Sequence, residues 1–136
     1  MANGTIAFDT LQTSGQITGT AKSVDTDYLL SGSAKSWVHY DGDASSPTIL
    51  DSFNTASISD TAAGRHSINL TNAHSSANYA NFWSGEQEAS GSGNSSLGDD
   101  VSVTKTSSKY NSINQRSGGA DFDLEIISAS TLGDLA

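Results

Sequence analysis

The chain has no cysteine, one proline and only 6 Lys and Arg among its 136 residues. The first absence excludes disulfides and thiolate metal centres. Set against 15 Asp and Glu, the shortage of basic residues leaves a formal net charge of -9. An acidic surface repels phosphate backbones and also keeps a concentrated protein soluble, so nucleic acid is not an expected partner. Long apolar runs are missing too. Nothing approaches the ~20 apolar residues of a membrane helix, and no apolar stretch follows Met1, so neither membrane insertion nor a secretory signal is expected.

Core formers are scarce. Ile, Leu, Val and Phe together number 25 of 136, whereas Ser alone also numbers 25 and Thr adds 13. A chain this poor in apolar bulk and this acidic borders the disordered range. The two Trp and four Tyr nevertheless sit beside alternating runs, which favours an ordered domain. Sister copies sharing a core would compensate for thin apolar faces, so the composition favours an oligomer.

What is present reads as short strands. Apolar residues alternate with polar ones and seldom fall at helical spacing. Ala34–Tyr40 is the clearest strand of the first half, ended by Asp41-Gly42-Asp43, where an Asp-Gly pair tolerates the positive φ of a tight turn. Pro47 suits a strand start before Thr48–Phe53. Ser57–Ser59 and Arg65–Thr71 flank an Ala62-Ala63-Gly64 turn, and Asn78–Trp83 is aromatic, with Tyr79 and Trp83 on one face. Residues 85–100 break the pattern and predict a long recognition loop. Val101–Lys105, Tyr110–Gln115 and Asp121–Ile126 alternate again, the last with Phe122, Leu124 and Ile126 on one face; Leu132–Ala136 reads as a tail. Thr5–Phe8, Gln16–Thr20 and Asp27–Leu30 are weaker candidates. Such spacing predicts an all-β fold, an antiparallel β-sandwich or barrel-like domain over residues 34–136, preceded by an extended N-terminal arm over residues 1–33.

Catalytic patterns are weak. His39, His66 and His74 form no HxH or HExxH pair, and no metal site or cofactor is expected. The pairs Asp25/Asp27, Asp41/Asp43, Asp99/Asp100 and Asp121/Asp123 lack the Gly and closing Glu of a calcium loop. They read mainly as turn caps, although two carboxylates across a sugar could also serve glycoside hydrolysis. Ser117-Gly118-Gly119 follows Arg116 rather than an acidic residue, and neither a G-x-S-x-G elbow nor a phosphate loop occurs. The N-x-[ST] matches at Asn3, Asn69 and Asn94 are chance in a Ser/Thr-rich chain. Aromatic faces stack on the apolar face of a pyranose, so Trp37, Tyr40, Tyr79, Phe82, Trp83 and Tyr110 are candidates for a sugar platform, with core packing the competing role. Trp83 is preferred because it adjoins the predicted loop, and Glu86, Asn94 and Asp99 complete the candidate binding set.

The run Ala34-Lys35-Ser36-Trp37-Val38-His39-Tyr40-Asp41-Gly42 opens a wider pattern. It is followed by Asp51-Ser52-Phe53-Asn54, Ser57-Ile58-Ser59-Asp60, Ser67-Ile68-Asn69-Leu70-Thr71 and Ala77-Asn78-Tyr79. In this order the segments resemble a module of tail-fibre and appendage proteins of tailed bacteriophages, marine phages above all. Gly4–Asp9 and Ile17–Lys22 resemble the start of some short marine-phage proteins. The pattern departs at Thr61-Ala62-Ala63-Gly64, where the family's turn is usually richer in Asn/Asp-Gly, and at the three histidines, so receptor specificity does not transfer.

The resemblance implies a virion structural protein made in the host cytoplasm. It implies a homotrimer with no enzyme activity. The partners expected of such a protein are sister copies, other virion proteins and a host surface glycan. A capsid decoration protein, a soluble carbohydrate-binding module and a small glycosidase are the competing expectations.

Overall fold

The computed structural model describes residues 32–43, 46–86, 95–116 and 119–134. Every regular element among them is a strand: β1 (Ala34–Asp41), β2 (Thr48–Phe53), β3 (Thr55–Ala62), β4 (Arg65–Leu70), β5 (Ala80–Gly85), β6 (Ser95–Asp99), β7 (Lys109–Arg116) and β8 (Ile126–Leu132). They form two four-stranded sheets, ordered β2-β1-β8-β5 and β3-β4-β7-β6. Every pairing is antiparallel. The fold is thus all-β and sandwich-like, as the alternation predicts. The three weak candidates before Ala34, and all of the proposed arm except Gly32 and Ser33, lie outside the described residues.

Period-two alternation sorts the side chains. In β1, Ser36, Val38 and Tyr40 are buried while Trp37 is exposed; in β8, Ile127, Ala129 and Thr131 are buried. The interior is built on tyrosine, with Tyr40, Tyr79 and Tyr110 joining Val38, Ile68, Leu70, Leu124, Ile127 and Ala129. β8 adds the small residues Ala129 and Thr131 to this interior, where the Thr131 hydroxyl lies within bonding distance of Ser36 and His74.

At the corner between β2 and β3 the chain passes from one sheet to the other, and Asn54 stands there in the left-handed region at φ 56°. Asn tolerates that conformation better than other non-glycine residues. Its side chain ties three segments: Nδ2 donates to the Lys35 and Asn72 carbonyls at 2.9 and 3.1 Å, and Oδ1 accepts the Asn72 amide at 2.7 Å.

Several expectations need correction. Residues 95–99, assigned to a loop, are β6, paired to β7 from Ser95↔Arg116 to Asp99↔Ser112. Ladder hydrogen bonds come from the backbone, so a Ser/Gly-rich segment can pair when one apolar residue, here Leu97, packs against the core. Val101–Lys105, read as a strand, is instead the connection from β6 to β7. The Asp100 carboxylate accepts the amide and the hydroxyl of Ser102 at 2.9 and 2.5 Å. That local bond offers the backbone an alternative to a ladder, and it leaves Val101 95% exposed.

The last strand is also displaced. Residues 121–125 make only one isolated bridge, Gln115↔Asp121. The Asn114 side chain donates to the Phe122 carbonyl at 2.9 Å, and Arg116 lies over the Phe122 ring at 4.4 Å. The strand runs from Ile126 to Leu132, so Leu132 belongs to the sheet and not to a tail.

The turn after β1 works differently from its expected form. Among the described residues the positive-φ glycines are Gly64, Gly119 and Gly133, and Gly42 is not one of them. Gly42 is required by close approach: a Cβ there would lie 2.8 Å from the Leu124 carbonyl oxygen and 3.1 Å from His66 Cε1.

Candidate functional site

The large apolar residues left exposed on sheeted segments are Trp37, Leu50, Phe53 and Phe82, and all four lie on the sheet β2-β1-β8-β5. Register aligns three of them across its outer face. Trp37 pairs with Phe53 on one side and Ser130 on the other, and Ser130 pairs with Phe82. The next outward row places His39 beside Ser128, and Ser128 beside Ser84. Together Trp37, His39, Phe82, Ser84, Ser128 and Ser130 line a shallow groove of ≈ 290 Å³ running over β8. His39 Nδ1 and Ser128 Oγ are 2.9 Å apart, which fixes the imidazole against the groove floor. Among the described residues no Asp, Glu, Lys or Arg lines it.

Trp83 and Asp99, two of the predicted binding residues, are brought together: the indole Nε1–H donates to Asp99 Oδ1 at 2.7 Å. Trp83 is half-buried, its ring tilted against Tyr110 at 5.4 Å between centroids. It is therefore a rim-of-core residue, and its neighbour Phe82 takes the outward position. Glu86 follows β5 with its side chain exposed, its amide donating to the Ile126 carbonyl at 2.9 Å. Asn94 lies outside the described residues. Of the other platform candidates, Tyr40, Tyr79 and Tyr110 are buried. Burial pushes the Tyr110 phenol up to about 12, and it raises Tyr40 and Tyr79 as well.

Sequence parity could have found Trp37, since Ser36, Val38 and Tyr40 facing inward leave it no other side. No such rule separates Phe82 from Trp83, two adjacent aromatics of which either could point inward. Ser84, Ser128 and Ser130 carried no signal in a serine-rich chain.

The histidines do not converge. His39 faces outward, whereas His66 and His74 are buried. His66 Nδ1 lies 3.4 Å from the Tyr40 hydroxyl. His74 stacks on Tyr79 at 4.0 Å. Its Nδ1 is 3.2 Å from the Asp134 carbonyl, which can only accept, so that nitrogen carries the proton. In the neutral ring Nε2 then accepts from the Thr131 hydroxyl at 3.0 Å, and Thr131 in turn accepts from Ser36 at 2.8 Å. Burial lowers the proton affinity of both buried rings.

Asp25 and Asp27 lie outside the described residues; members of the other acidic pairs lock loops. Arg65 bonds Asp121 through Nε at 2.7 Å and Asp100 through Nη1 at 2.8 Å. Hydrogen bonds from Gln115 and Arg65 lower the Asp121 pKa. For Asp100, burial acts upward but is outweighed by the Ser102 donors and Arg65, and the pKa falls. Asp123 accepts the Gly64 amide at 2.6 Å, and Asp41 accepts the Asp43 amide at 3.1 Å. Among the described residues no group of three or more His, Cys, Asp and Glu could hold a metal ion.

No protein-family model matches the chain, and neither a curated protein nor a solved structure is significantly similar to it.

Proposed function

We propose that the chain is a structural protein of a bacteriophage virion, a tail-fibre or appendage component that serves attachment or host recognition without chemistry of its own. The phage assignment rests on the ordered motifs from Ala34 to Tyr79. The observation that carries the attachment role is the aromatic row Phe53–Trp37–Phe82 on the outer face of one sheet, whose members are 53%, 37% and 53% exposed. Apolar surface gathered in this way on an otherwise Ser/Thr-rich protein marks a contact face.

The row has two ends with different roles. β2 is an edge strand, and Leu50 and Phe53 on it are each 53% exposed, which suits contact with a sister copy in a homotrimer. The β1-β8-β5 end carries the groove. Repetition of a weak site in such an assembly multiplies its avidity.

Labelled antibody against the chain should decorate intact phage particles at the tail or its appendages. Decoration of the capsid alone would move the protein to the head, and no decoration would end the virion reading. In sedimentation the purified chain should run as a trimer, and Phe53→Asp should release monomers. A wild-type chain that is a folded monomer at micromolar concentration would remove the trimer.

A further inference from the structure

Resting on the attachment reading, we infer that the groove between Trp37 and Phe82 is a binding site for an uncharged pyranose of a surface glycan. The site is built by three neighbouring strands. Trp37 on β1 and Phe82 on β5 flank Ser130 on β8 in one register row, and His39 and Ser84 flank Ser128 in the next. Adjacent strands lie about 4.8 Å apart, so the two aromatic walls rise from backbones roughly 9.5 Å apart. Two van der Waals contacts of roughly 3.5–4.0 Å each fit within that span around a single ring-shaped ligand.

A pyranose has the matching chemistry. Its C–H faces are apolar and stack on aromatic rings, while its hydroxyls radiate from the ring edge and need partners that both donate and accept. Serine hydroxyls do both. Ser128, Ser130 and Ser84 lie along the floor and one side of the groove, and the His39 imidazole stands opposite Ser84 across Ser128. The Ser128 hydroxyl already pairs with His39, but an apolar peptide would bury those of Ser84 and Ser130 without partners, at a cost that a sugar avoids.

Charge narrows the ligand further. The groove lining contains no charged side chain, Asp51 sits beside His39 in register on β2, and the whole chain carries -9. A uronic or sialic acid would meet repulsion with no cation in the groove lining to offset it. The ligand class is therefore neutral hexoses and N-acetylhexosamines.

The test uses the full 136-residue chain on an array of neutral and acidic oligosaccharides built from glucose, galactose, mannose, N-acetylglucosamine and sialic acid. Hits are then titrated by tryptophan fluorescence. Binding to at least one neutral oligosaccharide is expected, weakened roughly tenfold or more by Trp37→Ala or Phe82→Ala and blocked by Ser130→Trp, which fills the floor. Val101→Ser, on a solvent-facing turn, should bind as wild type. Circular dichroism and sedimentation confirm that each variant keeps its fold and assembly.

Three outcomes would overturn the site: no neutral glycan bound at millimolar concentration, preference for acidic glycans, or binding indifferent to Trp37→Ala and Phe82→Ala. So would Phe82→Ala dissolving the oligomer, which would make this end of the face a contact between copies. Antibody decoration of the particle with no glycan bound would reject the groove site and leave the virion reading standing. Glycan binding without decoration would do the reverse.

Discussion

Trp83 on β5 and Asp99 on β6 join the open side of the sandwich, because β5 and β6 are edge strands of different sheets. The same carboxylate oxygen accepts from Asn81 Nδ2 at 2.8 Å. One acidic side chain thus holds two donors from the opposite sheet. Asp99→Ala should lower stability by about 1 kcal/mol, the usual net value of such bonds near solvent, and should alter tryptophan emission as the indole loses its acceptor. Asp99→Asn keeps a carbonyl acceptor and should cost less. An unchanged urea midpoint in Asp99→Ala would show the link to be dispensable.

Gly64 should tolerate no side chain. Its φ is 69°, and a Cβ would lie 2.6 Å from the Asn114 carbonyl oxygen and 2.7 Å from backbone atoms of Phe122. Its own carbonyl accepts the Asn114 amide at 2.8 Å, so the turn cannot simply move away. Gly119 has a φ of 85°, but a Cβ there would project into open space. Gly119→Ala should therefore cost only the left-handed penalty of about 1–2 kcal/mol. Gly64→Ala should cost roughly 3 kcal/mol or more. Thermal unfolding of the two variants side by side separates backbone strain from collision.

Asn54 combines an unusual φ with three side-chain bonds, and two substitutions separate these contributions. Asn54→Gly keeps the conformation and loses the bonds to Lys35 and Asn72; Asn54→Ala loses both. Losses of about 1–2 kcal/mol for glycine and about 1 kcal/mol more for alanine are expected in chemical denaturation. Equal losses would show that the left-handed backbone is not what the asparagine supplies.

The pH dependence should report the buried imidazoles. His66 and His74 bind protons less well when folded, because burial disfavours the charged ring. The unfolded chain takes up protons at these positions near pH 6.5, and the folded chain does so only lower. Their contribution is therefore complete above roughly pH 6.5 and declines as the pH falls through that value toward the folded pKa values. Urea midpoints should be lower at pH 5 than at pH 7.5. Acid loss confined to pH below about 4 would instead point to Asp100 and Asp121, whose lowered folded values contribute stability that is lost as the pH falls from the unfolded carboxylate value toward the folded ones.

Legibility in the sequence followed the physics of each segment. β1, β4 and β7 were readable because their inward residues, Val38 and Tyr40, Ile68 and Leu70, Tyr110, are bulky and alternate with polar ones. β6 and β8 were not. Their small residues gain strand structure from neighbours rather than from their own propensity, β8 by ladder bonds to β1 and β5 and β6 by ladder bonds to β7. The candidate site was half readable for the same reason. Its aromatic walls stood out as residue types, but the choice between Trp83 and Phe82 depends on which one β6 draws inward through Asp99.

The position of β8 sets the order in which the protein can be completed. It lies between β1 and β5, and the Ser36–Thr131 bond joins residues 95 positions apart. During synthesis β1 waits for those 95 positions to be made before its inner partner leaves the ribosome. Until then one sheet exists only as separate pieces, a β1-β2 hairpin and a lone β5, with exposed edges open to foreign strands. Closure over such a long separation is entropically slow. A chain stopped before Ile126 would lack the strand that makes those pieces into a sheet.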